Sequence, residues 1–224
     1  MNTLVDPRRV RQYSQAPLTA GPVLYWMHRE FRAKDNWGLL QARQEAMRHG
    51  RPVAVVFCLA PAFLDATLRH YDFLLRGLEE TARRLHQANI PLLVRWGDPA
   101  EEILRLCTEI RPALVATDFD PLRIKRHWLD GLIRQRQFAV HEVDSRNIVP
   151  AWVASDHREF MAKTFRPRLH RHLADFCRPF PELAPHPIAW PRPIDPPDFT
   201  TLRTILRVDT SVQPVVGRLP GEAA

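Results

Sequence analysis

Five short runs of apolar, β-branched and aromatic residues constrain the fold more than any other feature of this sequence. They are PVLYWM, PVAVVFCLA, IPLLVRW, ALVATDF and FAVHEVDS, and a stretch with helical spacing of apolar residues follows each run. Buried strands of parallel sheets are apolar on both faces, and helices connect them. The alternation therefore predicts an α/β fold, a doubly wound, Rossmann-like sheet of five parallel strands with helices on both faces.

The predicted helices begin and end at residues with known capping preferences. Asp98-Pro99 follows the third run in the order of an N-cap and a proline in the first turn. Asp120-Pro121 repeats this pattern after the fourth run. The longest apolar stripe predicts a helix over about residues 63–88, and Gly50 is expected to close the first helix.

Composition divides the chain into four parts. Residues 1–21 are polar and are interpreted as an N-terminal arm, and residues 22–150 form the α/β domain. Residues 151–177 form a basic helical segment, whose helix is expected to begin or restart at Pro167. Residues 178–224 are rich in proline and are predicted to be a stiff, largely extended linker, which ends in what resembles the first turn of a helix.

The formal net charge of +7 bears on the class of partner. A positive charge of this size attracts polyanions at moderate salt, and nucleic acid is the commonest of them. A solvated, arginine-rich surface that reflects genomic base composition is the alternative explanation. The charge alone leaves both interpretations open.

Several kinds of site are disfavoured by what the sequence lacks. It contains no glycine-rich dinucleotide fingerprint, no Walker phosphate loop and no nucleophile elbow. Cys58, Cys107 and Cys177 do not have the spacing of metal ligands, so we assign no metal site. Because there is no long apolar run and no export signal, we expect a cytoplasmic protein that does not contact membranes.

The carboxyl ends of the predicted strands form the expected ligand-binding edge of the sheet. Among the residues there, Trp96 is the aromatic side chain most suggestive of ligand contact. Asp118, Asp120 and Asp144 also lie at strand ends, where carboxylates bind metal less often than they cap helices or accept hydrogen bonds from loop amides. The residues alone thus predict where a ligand binds, and they do not predict which ligand.

Longer stretches of the sequence resemble a known family. They are RVRQYSQAPLTAGPVLYWMHREFRAKDNWGLLQAR, VVFCLAPAFLDATLRHYDFLLRGLEE, LVATDFDPLR, EVDSRNIVPAWVAS and AKTFRPRL. In order and spacing they resemble the N-terminal half of class II cyclobutane pyrimidine dimer DNA photolyases, from about residue 9 to the end of the chain.

The resemblance implies light-driven repair of DNA. In that family reduced FAD, excited by blue light or by an antenna pigment, gives an electron to the pyrimidine dimer, the cyclobutane ring opens and the electron returns. The α/β domain is the antenna-side domain, for which a deazaflavin or a folate is the candidate pigment. Damaged DNA is the implied partner, while the FAD pocket lies in a C-terminal helical domain that is missing from this sequence.

The sequence departs from the family pattern near its end. Residues 211–215 match, but Gly217-Arg218 stands where an aromatic pair is usual, and Glu30 and Arg146 are two earlier departures. We expect a chain that is truncated before the FAD domain, without catalytic residues and inactive alone. The alternatives are a half-enzyme that docks on a separately encoded helical FAD domain, and a stand-alone pigment-binding or nucleotide-binding module.

Within the resemblance, a planar pigment is the expected ligand at the strand ends, because aromatic and apolar walls with few polar anchors suit a flat heterocycle. The predicted contact residues are Met27, Arg29, Phe57, Trp96, Asp118 and Phe119. The alternative is that these side chains only pack the loops against the helices.

Overall fold

The computed structural model describes residues 3–13, 19–192 and 194–222, and a six-stranded sheet lies at its centre. The strands are β1 (Val10–Gln12), β2 (Val23–Trp26), β3 (Val53–Leu59), β4 (Leu92–Trp96), β5 (Leu114–Asp118) and β6 (Ala139–Val143). Their order across the sheet is β1-β6-β5-β2-β3-β4. Strands β2 to β6 are parallel and coincide with the five apolar runs, whereas β1 pairs antiparallel with β6.

Helices cover both faces of the sheet, as the sequence predicts. They are α1 (Trp37–Arg48), α2 (Leu68–Gln87), α3 (Pro99–Ile110), α4 (Arg123–Arg134), α5 (Ala151–Ala154), α6 (Ala162–Phe176) and α7 (Phe199–Thr204). Residues of α1 and α2 share one apolar cluster with Tyr25 and Phe57, and residues of α3 and α4 share another with Trp26 and Cys58. Alternate strand residues thus supply the two cores. No helix in the described ranges is long and apolar enough to span a membrane.

The predicted helix boundaries are correct in part. Asp98 caps α3 by accepting hydrogen bonds from the backbone amides of Ala100 (2.9 Å) and Glu101 (3.2 Å). The prediction for Asp120 is wrong, because α4 begins at Arg123 and the Asp120 carboxylate accepts a hydrogen bond from the Leu122 amide instead. Helix α2 likewise begins at Leu68, five residues later than predicted.

Pro167 neither starts nor interrupts α6, which was expected to begin or restart there. The helix begins at Ala162 and continues through the proline. Both Pro167 and Lys163, whose carbonyl loses its helical partner, are exposed, so water can satisfy that carbonyl. The opposite face of α6 packs through Phe165, Leu169 and other apolar residues against the end of the α/β domain, and this packing outweighs the missing bond.

The N-terminal arm contains regular structure that the sequence analysis missed. A single 3₁₀ turn (Pro7–Arg9) leads into β1, while residues 14–18 lie outside the described part of the chain. The guanidinium group of Arg9 is 2% exposed and donates to the carbonyl oxygens of Asp144 (3.1 Å), Asn147 (2.9 Å) and Ile148 (2.5 Å). This buried cation fastens the arm to the loop after β6.

The proline-rich segment packs along the α/β domain and is more than a linker. His186 is buried, its amide donates to the Ala88 carbonyl (2.8 Å) and its Nε2 lies 2.8 Å from the Arg51 carbonyl. Helix α7 places Phe199 in the apolar cluster of α2. Residues 220–222 are not helical, and residues 223–224, the rest of the expected helical turn, lie outside the described residues.

Glu222 shows how the last described residues are held. Its carboxylate accepts hydrogen bonds from the amides of Ala33 (3.2 Å) and Lys34 (2.8 Å) and lies 3.3 Å from the Arg84 guanidinium. The segment is therefore anchored to the loop after β2 as well as to α2.

Replacing Arg9 by alanine is expected to lower the free energy of unfolding by about 2–4 kcal/mol, because one buried and two part-buried carbonyl oxygens lose a charged donor. The measurement is urea denaturation followed by circular dichroism. Arg11→Ala is the matched control, since Arg11 lies in β1, two residues after Arg9, but is exposed and stacks on Trp152; its expected cost is at most about 1 kcal/mol. Equal costs for the two variants would show that the carbonyl contacts of Arg9 do not stabilise the fold.

Candidate functional site

The carboxylate of Asp118, at the end of β5, organises the strand ends. Its Oδ2 accepts hydrogen bonds from the backbone amides of His28 (3.1 Å), Arg29 (2.8 Å) and Glu30 (3.1 Å). Its Oδ1 accepts a hydrogen bond from the Tyr25 hydroxyl (2.5 Å), and burial beside this carboxylate raises the pKa of that hydroxyl well above its usual range. Asp118 therefore holds the loop after β2 against β5.

The other two strand-end aspartates also bind protein groups. Asp120 forms an ion pair with Arg29 at 2.6 Å. Asp144 accepts hydrogen bonds from the amides of Asn147 (3.1 Å) and Ala151 (2.8 Å). Within the described ranges no three His, Cys, Asp or Glu side chains are grouped to hold a metal ion.

The structure does not bring the six predicted contact residues into one cavity. Met27 is fully buried in the core, and Trp96 packs against the apolar cluster of α1 and α2. Arg29 and Asp118 form the ion pair and the hydrogen bonds given above. Phe119 makes an edge-to-face contact with Trp152 at 5.2 Å. Of the six, Phe57 lines the cleft at the carboxyl end of β3.

We call this cavity the β3 cleft. It has a volume of about 130 Å³ and lies between the end of β3, the N-terminal half of α2 and the first turns of α4. Its walls are mostly apolar, and they are formed by Phe31, Phe57, Cys58, Leu59, Ala60, Phe63, Ala66, His70, Tyr71, Leu74, Lys125 and Trp128.

A wider groove of about 610 Å³ adjoins the β3 cleft. The two cavities share Phe31, His70 and Leu74, and the far wall of the groove is formed by Val215, Gly221 and other residues of the C-terminal segment. We call this second cavity the α2 groove. A flat ligand wider than the cleft would extend into it.

Among the described residues that line the β3 cleft, Lys125 is the one lysine or arginine. Its Nζ donates to the His28 carbonyl (2.9 Å) and lies over the rings of Phe63 (4.8 Å) and Trp128 (4.3 Å). Burial lowers the pKa of this ammonium group to about 8. The cleft thus combines aromatic walls with one half-buried cation, which suits a planar ligand that carries an acidic or strongly polarised group.

The sequence analysis missed most of the cleft because its walls come from helices as well as strand ends. Tyr71 and Trp128 lie on the buried faces of α2 and α4, where the apolar stripe makes them indistinguishable from ordinary core residues. The one available signal was Lys125, a cation between the apolar residues Ile124 and Trp128. Cys58 and Cys107 are buried, as expected from their surroundings, and burial raises the pKa of each thiol to about 12.

His28 makes the strand-end edge sensitive to acid. Its buried ring packs edge-on against Trp26 at 5.2 Å, and the charged groups that face it are Asp118, Asp120 and Lys125. Burial lowers its pKa from 6.5 to about 4. Since the unfolded chain binds the proton more tightly, the stability contributed by neutral His28 is present above about pH 6.5 and is lost as the pH falls towards 4.

Substitution His28→Phe is therefore expected to weaken the loss of stability on acidification. Between pH 7 and pH 5 the wild-type chain should lose about 2 kcal/mol more free energy of unfolding than the variant does. Urea denaturation at the two pH values measures this difference within each protein. His127→Gln, at an exposed position of α4, should keep the wild-type dependence, and an unchanged dependence in His28→Phe would contradict the assignment.

Comparison with known proteins shows which family the chain belongs to. The DNA photolyase family model matches residues 23–186. A deoxyribodipyrimidine photo-lyase from Potorous tridactylus is 40% identical over 205 residues, which are 90% of this chain and 38% of that protein. One from Arabidopsis thaliana is 38% identical over 230 residues, covering 98% of this chain and 46% of that protein. The chain thus spans less than half the length of these two relatives.

A solved structure shows the same fold at lower identity. The cryptochrome of Synechocystis sp. PCC6803 superposes with a TM-score of 0.58 and 18% identity, over 80% of this chain and 40% of that one. The doubly wound α/β fold predicted from the sequence is therefore confirmed. With the family model matching most of the α/β domain, the chain belongs to the DNA photolyase family.

Proposed function

We propose that this chain is the light-harvesting half of a class II photolyase that repairs cyclobutane pyrimidine dimers in DNA. The observation that carries the proposal is the 40% identity, over 90% of the chain, to a protein named deoxyribodipyrimidine photo-lyase. The motifs quoted above, among them Asn147-Ile148-Val149-Pro150, support the class.

FAD would supply the electron that opens the cyclobutane ring, and the resemblance implies that its pocket lies in a C-terminal helical domain. Beyond residue 150 the described residues form α5, α6, α7 and extended segments that lie against the α/β domain. A dry, preorganised flavin pocket requires a further helical domain. The role of this chain is then to bind the antenna pigment and to support the FAD-binding half.

The β3 cleft and the adjoining α2 groove fit the pigment. A volume of about 130 Å³ holds only the edge of a ring system, while the groove of about 610 Å³ lies in the range of ligand pockets. Phe57 and Trp128 would pack against the ring faces, and Lys125 would bind a polar group at the inner edge. A deazaflavin or a folate matches this combination of flat ring and acidic substituent.

A second function, as a half-enzyme that docks on a separately encoded FAD-binding half, is favoured by one surface. Phe160 and Met161, between α5 and α6, are 81% and 60% exposed. Adjacent large apolar side chains with this exposure mark a contact surface for another protein unit. A neighbouring reading frame that encodes photolyase helices would favour this alternative over a chain that works without a partner.

Filling the β3 cleft is expected to prevent pigment binding. Ala66→Phe places a ring inside the cleft and should weaken binding of a deazaflavin at least about tenfold, since the inserted ring and the pigment edge cannot occupy the same volume. Ala62→Phe is the matched control, because Ala62 lies in the same loop but is exposed and does not line the cleft. Fluorescence titration measures both, and equal affinities would place the pigment elsewhere.

Repair is expected to depend on the FAD-binding half. The purified chain should show no flavin absorbance and should not reverse dimers in an ultraviolet-irradiated oligonucleotide under blue light. A chimera that joins this chain to the C-terminal half of the Arabidopsis thaliana relative should bind FAD and reverse dimers in light but not in darkness. A chimera that binds FAD and yet gives no light-dependent reversal, or tight flavin binding by the chain alone, would contradict the proposed function.

A further inference from the structure

We propose that a second cleft, lined by arginines, binds the phosphate group of a nucleotide or of a DNA strand. This arginine cleft has a volume of about 630 Å³ and lies between the loop after β2, the loop after β6 and the residues that follow α6. Arg9, Arg32, Arg146 and Arg178 line it, against a single carboxylate, that of Asp35. It shares no lining residue with the β3 cleft.

Two of the four arginines are free to bind a ligand. Arg32 is engaged, since its guanidinium pairs with Glu30 at 2.5 Å and donates to the Asp35 carbonyl at 3.1 Å. Arg146 and Arg178 are exposed at the rim, and neither forms an ion pair within 4.0 Å in the described part of the chain; the charge of Arg146 acts on the Glu30 carboxylate from a longer distance. Guanidinium groups bind phosphate oxygens in pairs, so two free arginines on one cleft favour a phosphate.

Arg9 supplies the second observation, a buried positive charge on the wall of the cleft, on which the carboxylates of Asp144 and Asp6 act. Its guanidinium lies between the rings of Trp37 and Phe176, 5.0 Å from each, and its hydrogen-bond partners in the described residues are carbonyl oxygens. A buried cation is costly because it loses its hydration, even where carboxylates lie nearby. Because Arg9 lines the cleft, an anion held there by Arg146 and Arg178 would offset that cost by charge, without displacing the carbonyls.

The rest of the wall suits a phosphate ester better than a bare ion. The Ser145 hydroxyl oxygen accepts a hydrogen bond from the Gly38 amide at 2.7 Å, which leaves its own hydrogen free to donate. Trp37 stacks on Phe180 at 4.4 Å and forms an aromatic side of the cleft. The volume is in the range of pockets that enclose a small organic ligand. Phosphate bearing an attached nucleoside is the shared chemistry, whether it comes from a free nucleotide or from a DNA backbone.

The test is calorimetric titration of the full chain at constant ionic strength with inorganic pyrophosphate, with adenosine monophosphate and with a short undamaged DNA duplex. Arg146→Gln combined with Arg178→Gln should weaken binding at least about tenfold, since each arginine contributes charged hydrogen bonds. Arg123→Gln combined with Arg134→Gln is the control, because these exposed arginines of α4 remove the same charge outside the cleft. Circular dichroism checks that both variants fold.

Each outcome decides one point. If the Arg146→Gln, Arg178→Gln variant loses affinity for pyrophosphate and the mononucleotide while the control keeps it, the ligand is a small phosphate compound. If it loses affinity for the duplex alone, the ligand is a DNA backbone. An equal loss of affinity in both double variants overturns the proposal, since general attraction between the positive chain and anions then explains the binding. The absence of measurable binding to the wild-type chain also overturns it, since the arginines then belong to a solvated surface. The same variants are also titrated with the pigment, and their affinity for it should be unchanged, because Arg146 and Arg178 do not line the β3 cleft. This keeps the result separate from the proposed light-harvesting role.

Discussion

The hydrogen bonds accepted by the Asp118 carboxylate are the interaction on which the strand-end edge depends. Strand β2 pairs with β3 on one side and with β5 on the other, so the strand order reverses between β2 and β5. Doubly wound sheets usually bind their ligands in the crevice at such a point. Here the loop after β2 closes over that crevice, because three of its amides bind Asp118. The open cavities therefore lie on either side, at the end of β3 and beside the loop after β6.

Local patterns explain why much of the fold was predictable from sequence. Strands β2 to β6 are visible in the sequence as apolar runs, because strands of a parallel sheet are buried between helices. The start of α3 is visible because the side chain of Asp98 caps that helix. The three-residue strand β1 has no such pattern, since it is polar and at a sheet edge, and its place depends on Arg9 meeting carbonyls more than 130 residues away. The predicted start of α6 at Pro167 was wrong because the packing of the opposite face of the helix cannot be inferred from the neighbouring sequence.

The candidate site was less predictable, for a related physical reason. The strand-end rule located the correct edge of the sheet and included Phe57, but it could not tell a side chain that faces a cavity from one that a neighbouring loop covers. Asp118 satisfies the rule and is covered by the loop after β2, and Met27, the first residue of that loop, satisfies it and is buried in the core. The cleft instead depends on how α2 and α4 sit over β3, which is set by contacts between distant residues such as Phe63 and Trp128.

The arm, the loop after β6 and the arginine cleft are physically coupled through one residue. The Asp144 amide donates to the Arg9 carbonyl at 3.0 Å, and the Arg9 side chain binds the carbonyls of the same loop, in which Arg146 lies. An anion bound at Arg146 would therefore strengthen the attachment of β1, since it would balance the charge that this attachment buries. Binding of an anion in the arginine cleft and attachment of β1 to the sheet would then be energetically coupled. In this sense the edge strand β1 is a part of the site.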